Sequence, residues 1–231
     1  MKPGQPVIEH VPVSVSAAEV ALEGDLSMPS TPKGVVLFAH GSGSSRHSPR
    51  NRYVAEVLNE QSLGTLLIDL LTAEEEQEDE VTGHLRFDID LLTGRLVAIT
   101  DWLVNPPQGR GHRIGLFGAS TGAAAALMTA AQRPDTMMAV VSRGGRPDLA
   151  GSEASLVRAP TLLIVGGKDT AVIQMNRDAM ALMKCKTELK IVPGATHLFE
   201  EPGAMGAVAR LAIDWFSEHL VTPVSAEDPG S

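Results

Sequence analysis

Hydrophobic and polar positions follow two rhythms along this chain. Val7–Val15 alternates apolar and polar residues, and Val20–Met28 does so more weakly. Two such segments in succession predict an antiparallel hairpin or edge pair. Six short runs then carry apolar residues without alternation: Val35–Ala39, Thr65–Ile68, Arg113–Phe117, Met138–Val141, Thr161–Val165 and Leu189–Val192. Runs of this kind fit strands covered on both faces, as in a parallel sheet. Helical spacing fills the gaps. Val54, Val57 and Leu58 mark one helix, and Leu85, Ile89, Leu92, Leu96, Ile99 and Leu103 form an amphipathic stripe that steps by fours and threes. Thr121–Gln132 is alanine-rich and stops before Pro134, Val172–Met183 follows, and Met205, Val208, Leu211 and Trp215 mark the last helix. The order, two strands and then repeated βα units, predicts an α/β fold with a mostly parallel, doubly wound sheet and antiparallel N-terminal strands. Residues 1–221 read as a single domain and residues 222–231 as a disordered tail.

In such sheets ligands sit at the carboxyl ends of the strands, so each loop that follows a strand is a candidate for chemistry. The run Arg113–Phe117 leads into Gly118-Ala119-Ser120-Thr121-Gly122 and straight on into the alanine-rich helix. A bare Gly-x-Ser-x-Gly pattern is weak. Its strand-to-helix context strengthens it, because a sharp turn there leaves no room for side chains beside the serine. The competing reading is an ordinary glycine-rich connection with a capping serine. A serine hydroxyl needs an imidazole to take its proton, and the imidazole needs a carboxylate to fix its tautomer. The strand Thr161–Val165 ends in Gly166-Gly167-Lys168-Asp169, and Leu189–Val192 ends in Pro193-Gly194-Ala195-Thr196-His197. Asp148, after the strand that ends at Val141, is the rival acid, and a turn-forming role for Asp169 is the alternative to a catalytic one. Of the seven histidines, His40 and His47 precede the serine, and His10, His84, His112 and His219 fall at strand starts, in polar stretches or at helix positions.

The loop after Val35–Ala39 reads His40-Gly41-Ser42-Gly43-Ser44-Ser45. Glycines there allow a close backbone approach, and the N–H groups of Ser42 and Thr121 are the candidate oxyanion donors. A flexible glycine–serine turn or a phosphate-binding loop is the alternative. The dinucleotide fingerprint lacks its third glycine here, and Gly167-Lys168-Asp169 lacks the Ser or Thr that a P-loop places after its lysine.

Composition narrows the function classes. The chain has 231 residues with a formal net charge of −9, which disfavours nucleic acid and anionic membranes as partners. Six of the negative charges lie in Glu74–Glu80, a run that reads as a solvated loop. The single Cys185 excludes an internal disulfide and a multi-cysteine zinc site; it reads as an inert thiol, and no cofactor or metal is expected. No apolar signal core follows Met1, and no stretch reaches the roughly 18 apolar residues of a membrane span, so a cytoplasmic protein is expected.

With the order Ser120, Asp169, His197 and the segments Val-Gly-Gly-Lys-Asp and Pro-Gly-Ala-Thr-His in place, the chain resembles an α/β-hydrolase. It is most similar to the dienelactone hydrolase-like branch, over about residues 20 to 220. The resemblance implies an α/β-hydrolase fold without a large cap domain. Dienelactone hydrolases proper carry a cysteine nucleophile and a glutamate after the third strand, whereas this chain has Ser120 and a Gly-Ser loop. A direct serine mechanism on small carboxylic esters or lactones is therefore expected, with Ser120 as nucleophile, His197 as base and Asp169 as its orienting acid. Arg46 and Arg143 border the site and are candidates for binding an anionic substrate group; the alternative is that they pair with Asp148, Glu200 or Glu201 and order the loops. The rival functions are a thioester or amide hydrolase with the same triad, and a binding protein that keeps the fold without catalysis. Oligomeric state is not legible.

Overall fold

The structure, a computed structural model, describes residues 6–105 and 112–220. The proposed tail at 222–231 lies outside them. Eight strands form one sheet in the order β1-β2-β4-β3-β5-β6-β7-β8. They are β1 (Ile8–Ala17), β2 (Val20–Pro29), β3 (Val35–Ala39), β4 (Gly64–Ile68), β5 (Ile114–Ala119), β6 (Met137–Arg143), β7 (Thr161–Gly166) and β8 (Thr187–Val192). The expected opening hairpin is present: β1 pairs antiparallel with β2, and β2 with β4. All other pairings are parallel.

The central strands are buried throughout because each feeds both faces. In β3, Val35, Leu37 and Ala39 point into one core and Val36 and Phe38 into the other. The first core is closed by α3 (Ile89–Val104), α4 (Thr121–Gln132) and a 3-10 segment, Pro147–Leu156, with α5 (Thr170–Leu182) packed on that segment. The second is closed by α1 (Pro49–Glu60) and α6 (Ala204–Leu220). The chain leaves β3 towards β4 over one face through α1. It then returns over the other face through α3 to β5, on the opposite side of β3. The winding therefore reverses at β3, and the crevice between the carboxyl ends of β3 and β5 is the switch point where such sheets bind ligands.

Two expectations are corrected. The acidic run is not a solvated loop. It folds as α2 (Ala73–Thr82), started by a reciprocal Thr72–Glu75 capping box and stopped by Gly83 at φ 65°. Glu75 also pairs with the buried Arg95 of α3 at 2.5 Å, which docks the helix. The stripe that starts at Leu85 does not form one helix. Asp79 Oδ1 accepts the N–H groups of Leu85 and Arg86, and Asp88 caps α3 through Leu91 N–H at 2.9 Å. Leu85–Phe87 is consequently a separate 3-10 turn. No described helix is long and apolar enough to cross a membrane.

Leu96 is fully buried in the first core, whereas Val81 on α2 is 88 % exposed. Leu96→Ala is expected to cost about 3 kcal/mol and lower the melting temperature by roughly 6–12 °C, with Val81→Ala within about 0.5 kcal/mol of the parent. Calorimetry of both variants checks the assignment of inner and outer faces.

Candidate active site

The turn between β5 and α4 is built by exclusion of side chains. Ser120 sits at φ 52°, ψ −122°, a conformation that non-glycine residues rarely adopt. A Cβ on Gly122 would stand 2.3 Å from the His40 carbonyl oxygen, and one on Gly118 would stand 2.5 Å from Ala123 Cα. Only glycine fits at either position. The Ser120 amide donates to the Arg143 carbonyl at 3.2 Å, and the Ser120 carbonyl accepts from Arg146 N–H at 3.1 Å. The serine is thus clamped between the ends of β3 and β6.

Asp169 and His197 are brought together. Their loops are zipped by Gly167 N–H to Val192 O at 2.8 Å and Lys168 N–H to Ala195 O at 2.9 Å. A Cβ on Gly166 would lie 2.5 Å from the Ala195 carbonyl oxygen, so the zip requires that glycine. The result is a 2.7 Å contact between His197 Nδ1 and Asp169 Oδ2, with the carboxylate the more enclosed partner. Gly144 joins this pair to the serine turn: it follows Arg143, and its Cβ direction points 3.5 Å from His197 Cε1. The Ser120 Oγ to His197 hydrogen bond is not formed in this structure; catalysis requires it once substrate is in place. Asp148, the rival acid, is held by Arg146 at 2.8 Å.

The loop after β3 lies against the candidate nucleophile, with a Gly41 Cβ position 2.9 Å from Ser120 Cβ. The two candidate oxyanion residues meet in an unexpected way. Ser42 N–H donates to Thr121 Oγ1 at 3.1 Å, and the two hydroxyls are 2.9 Å apart. Thr121 N–H is the first of α4 and has no intrahelical acceptor. One donor is therefore open and the other is occupied by the Thr121 side chain. Beside them lies a cavity of about 180 Å³ walled by Ser42, Thr121, Leu71 and Leu92 and by Glu76, Glu80 and Arg86. Burial, the charge of Asp69 and that of Glu80 raise the pKa of Glu76 against the opposing pull of Arg46.

The candidate arginines diverge. Arg46 is paired with Asp69 through both its amide and its guanidinium, so it orders the loop. Arg143 finds none of its expected partners. Asp148 is taken by Arg146, Glu200 lies 3.5 Å from Arg50, and Glu201 accepts the Thr196 N–H. Cys185 is half-buried beside Thr161 and Thr187, the first residues of β7 and β8, at the end of those strands away from the Asp169 and His197 loops.

Sequence reasoning missed two supports. His40 accepts the Leu70 N–H at Nε2 and contacts the Gly41 carbonyl through Nδ1 at 3.0 Å, which makes it a neutral anchor for the loop. Asp79 grips Arg86 through Nε at 2.5 Å, and the Arg86 carbonyl accepts from Ser42 Oγ at 3.4 Å. Burial pushes the Asp79 carboxyl up, but the bonds from Arg86 and Leu85 outweigh it and hold the group below its ordinary value. The Thr72-x-x-Glu75 capping box was the available signal that this segment is ordered.

Two outcomes follow from this geometry. Ser120→Gly relieves the positive-φ strain and is expected to stabilise the fold by about 1 kcal/mol, raising the melting temperature by roughly 2–4 °C; Ser120→Ala keeps the strain and does not. Burial holds the His40 pKa below 6.5 despite the Gly41 carbonyl and the Asp69 charge. Below pH 6.5 the unfolded chain binds a proton that folded His40 refuses, so its contribution is complete above pH 6.5 and is lost as the pH falls. Melting temperature against pH is expected to slope less steeply below 6.5 in His40→Gln. A residual slope just below pH 6.5 belongs to His219, whose pKa burial also lowers, and at lower pH to carboxylates such as Asp79 and Glu75 that are held below their ordinary values.

Residues 26–220 match the model of the dienelactone hydrolase family. A solved dienelactone hydrolase from Anabaena variabilis is 60% identical, with a TM-score of 0.90 over 94% of this chain and 99% of that one. The Est1E structure from Butyrivibrio proteoclasticus shares the fold at 16% identity, with a TM-score of 0.75 over 90% of this chain and 98% of its own. A Mycobacterium tuberculosis protein named provisionally as a phosphoribosyl transferase is 54% identical over 218 residues. That match takes in 94% of this chain and 48% of the mycobacterial protein, so the chain spans about half the length of this relative.

Proposed function

The chain belongs to the dienelactone hydrolase family, and from that premise we propose that it is a serine hydrolase of small carboxylic esters or lactones. The observation that carries this reading is the 2.7 Å contact of Asp169 with His197 beside a strained serine turn. Family membership supports hydrolysis; the serine, the triad and the ester specificity are our assignment.

In the proposed cycle His197 Nε2 takes the Ser120 proton while Oγ bonds to the substrate carbonyl carbon. The Asp169 carboxylate accepts the Nδ1–H and stabilises the imidazolium. The N–H groups of Ser42 and Thr121 receive the oxyanion, which requires the Thr121 hydroxyl to release the Ser42 N–H. Collapse breaks the carbonyl carbon–oxygen bond to the alcohol, which leaves with the proton from His197. Water, deprotonated by His197, then cleaves the acyl-serine and restores the enzyme. A cavity of about 180 Å³ suits a short acyl or alcohol group.

Thioester or amide cleavage uses the same machinery. The transferase name belongs to a protein about twice as long, of which this chain spans 48%.

Incubation with a small fluorophosphonate is expected to give one covalent adduct by intact-mass spectrometry, absent in Ser120→Ala. Asp169→Asn is expected to lower kcat on a short-chain ester by about 10³–10⁴. An adduct that persists in Ser120→Ala overturns the assignment of the nucleophile, and matched ester, thioester and amide substrates rank the bond preference.

A further inference from the structure

Arg95 and Arg143 are the two arginines buried among the described residues, and the fold treats them in opposite ways. Arg95 gives two nitrogens to Glu75 and one further bond to the Leu70 carbonyl. Arg143, 8 % exposed, meets no carboxylate among the described residues. Its Nη2 donates to Asn51 Oδ1 at 3.4 Å, its Nε has no partner, and its guanidinium carbon lies 6.0 Å from the centre of the Phe199 ring. The charge beside it is another cation, Arg50. Burial, together with that charge, pulls the Arg143 pKa down to about 10.

Arg50 is itself under-paired. Its Nε is buried without a partner, and its ion pair is a 3.5 Å contact with Glu200, whose side chain is 67 % exposed. Both guanidinium groups gather at the first turn of α1, where Ser48 caps the helix and no acidic residue offsets its positive end. A buried cation without a counter-charge is strongly unfavourable, and the part-exposed Arg50 beside Arg143 adds repulsion to that cost. A surface depression of about 460 Å³ opens over Arg50, walled also by Phe199, Tyr53, Glu200 and Met205; Arg143 does not line it and meets its wall at Phe199, whose ring its guanidinium faces. Phe199, which the Arg143 guanidinium faces, is fully buried and held at φ 56°. Glu201, also on that wall, accepts the Thr196 amide at Oε1 while its Oε2 is buried without a partner, so it is a second carboxylate that an entering anion must pass.

We propose that this cluster is a binding site for a small oxyanion, a carboxylate or phosphate group. The anion enters from the depression, displaces the Glu200 carboxylate from Arg50, and is held by Arg50, Arg143 and the positive end of α1. The site adjoins the reaction centre, because Gly144 links Arg143 to His197. It lies on the α1 side of the sheet, apart from the cavity walled by Glu76 and Glu80. The proposal goes beyond the esterase reading and does not depend on which acyl bond is cleaved.

The test is titration of the full chain with inorganic phosphate and with malonate, at constant ionic strength in chloride, followed by calorimetry and melting temperature. Saturable binding is expected. It should tighten by roughly tenfold in Glu200→Gln, which removes the competing carboxylate, and weaken by at least about tenfold in Arg50→Gln, a part-exposed change. Arg143→Met should abolish it, and Arg50→Gln keeps the test decisive if Arg143→Met does not fold. Absence of saturable binding in both the parent and Glu200→Gln, or equal affinity in Arg50→Gln, overturns the proposal and leaves Glu200 as the resident counter-ion. Phosphate that competes with a carboxylate-bearing ester but not with a neutral one identifies the substrate's own group as the occupant. Phosphate that binds without competing against either identifies a free anion. Turnover of the neutral ester by the unmodified chain reports separately on the hydrolase reading.

Discussion

Everything at the reactive end of this molecule depends on how closely the Ser120 turn approaches the end of β3. With 2.3 Å between a Gly122 Cβ and the His40 carbonyl, the contact admits hydrogen and nothing larger. That approach seats the amino end of α4 in the crevice between β3 and β5, where the winding of the sheet reverses. It also sets the Ser42 amide beside Thr121, and Gly41 against Ser120. The strain at Ser120 is sustained because its amide and carbonyl are both held by the segment after β6. The same segment carries Gly144 against His197. Ser120, His197 and the amides of Ser42 and Thr121, the groups assigned to the proposed reaction, are thus positioned by backbone packing more than by side-chain bonds between them.

The oxyanion loop has a second support that comes from the most acidic part of the chain. Asp79 is buried, accepts two backbone amides and grips Arg86. Arg86 in turn meets Ser42 through its carbonyl, and its Nη1 lies 3.5 Å from the Gly43 Cβ direction. α2 is docked independently by Glu75 on Arg95. A segment that composition assigns to solvent therefore forms a wall of the cavity and braces the loop. Its charge has a structural use at two positions, and it leaves Glu76 and Glu80 to face the cavity.

This division explains what was legible in the sequence. The strands were legible because burial on both faces imposes uninterrupted apolar runs, as in Val35–Ala39 and Thr161–Val165. Ser120, Asp169 and His197 were legible because each follows a strand directly, so chain position alone places them at one end of the sheet. Charged segments were not. Whether Asp79 faces water or Arg86, and whether Arg46 or Arg143 finds a carboxylate, is decided by partners that only the folded chain brings near. Arg143 and Asn51 are 92 residues apart in sequence. The break before α3 was hidden for the same reason: the apolar stripe continues through it, and Asp79 diverts the amides of Leu85 and Arg86.

The charges around the serine turn are consequently distributed by side. On the α2 side the cavity next to Ser42 and Thr121 is bordered by carboxylates, and Arg86 there is neutralised by Asp79. On the α1 side Arg50 and Arg143 stand together, with the loosely held Glu200 and the amide-bound Glu201 on the wall towards solvent. An anionic group is therefore disfavoured in the cavity and favoured across the sheet from it, whereas a neutral acyl or alcohol portion meets no such penalty beside the oxyanion donors. The carboxylate-bordered cavity on one side of Ser120 and the proposed anion site on the other would together orient an ester that carries charge at a single end. The same arrangement ties substrate orientation to the loops that hold the site together, since Phe199 and Glu200 follow His197 within three residues.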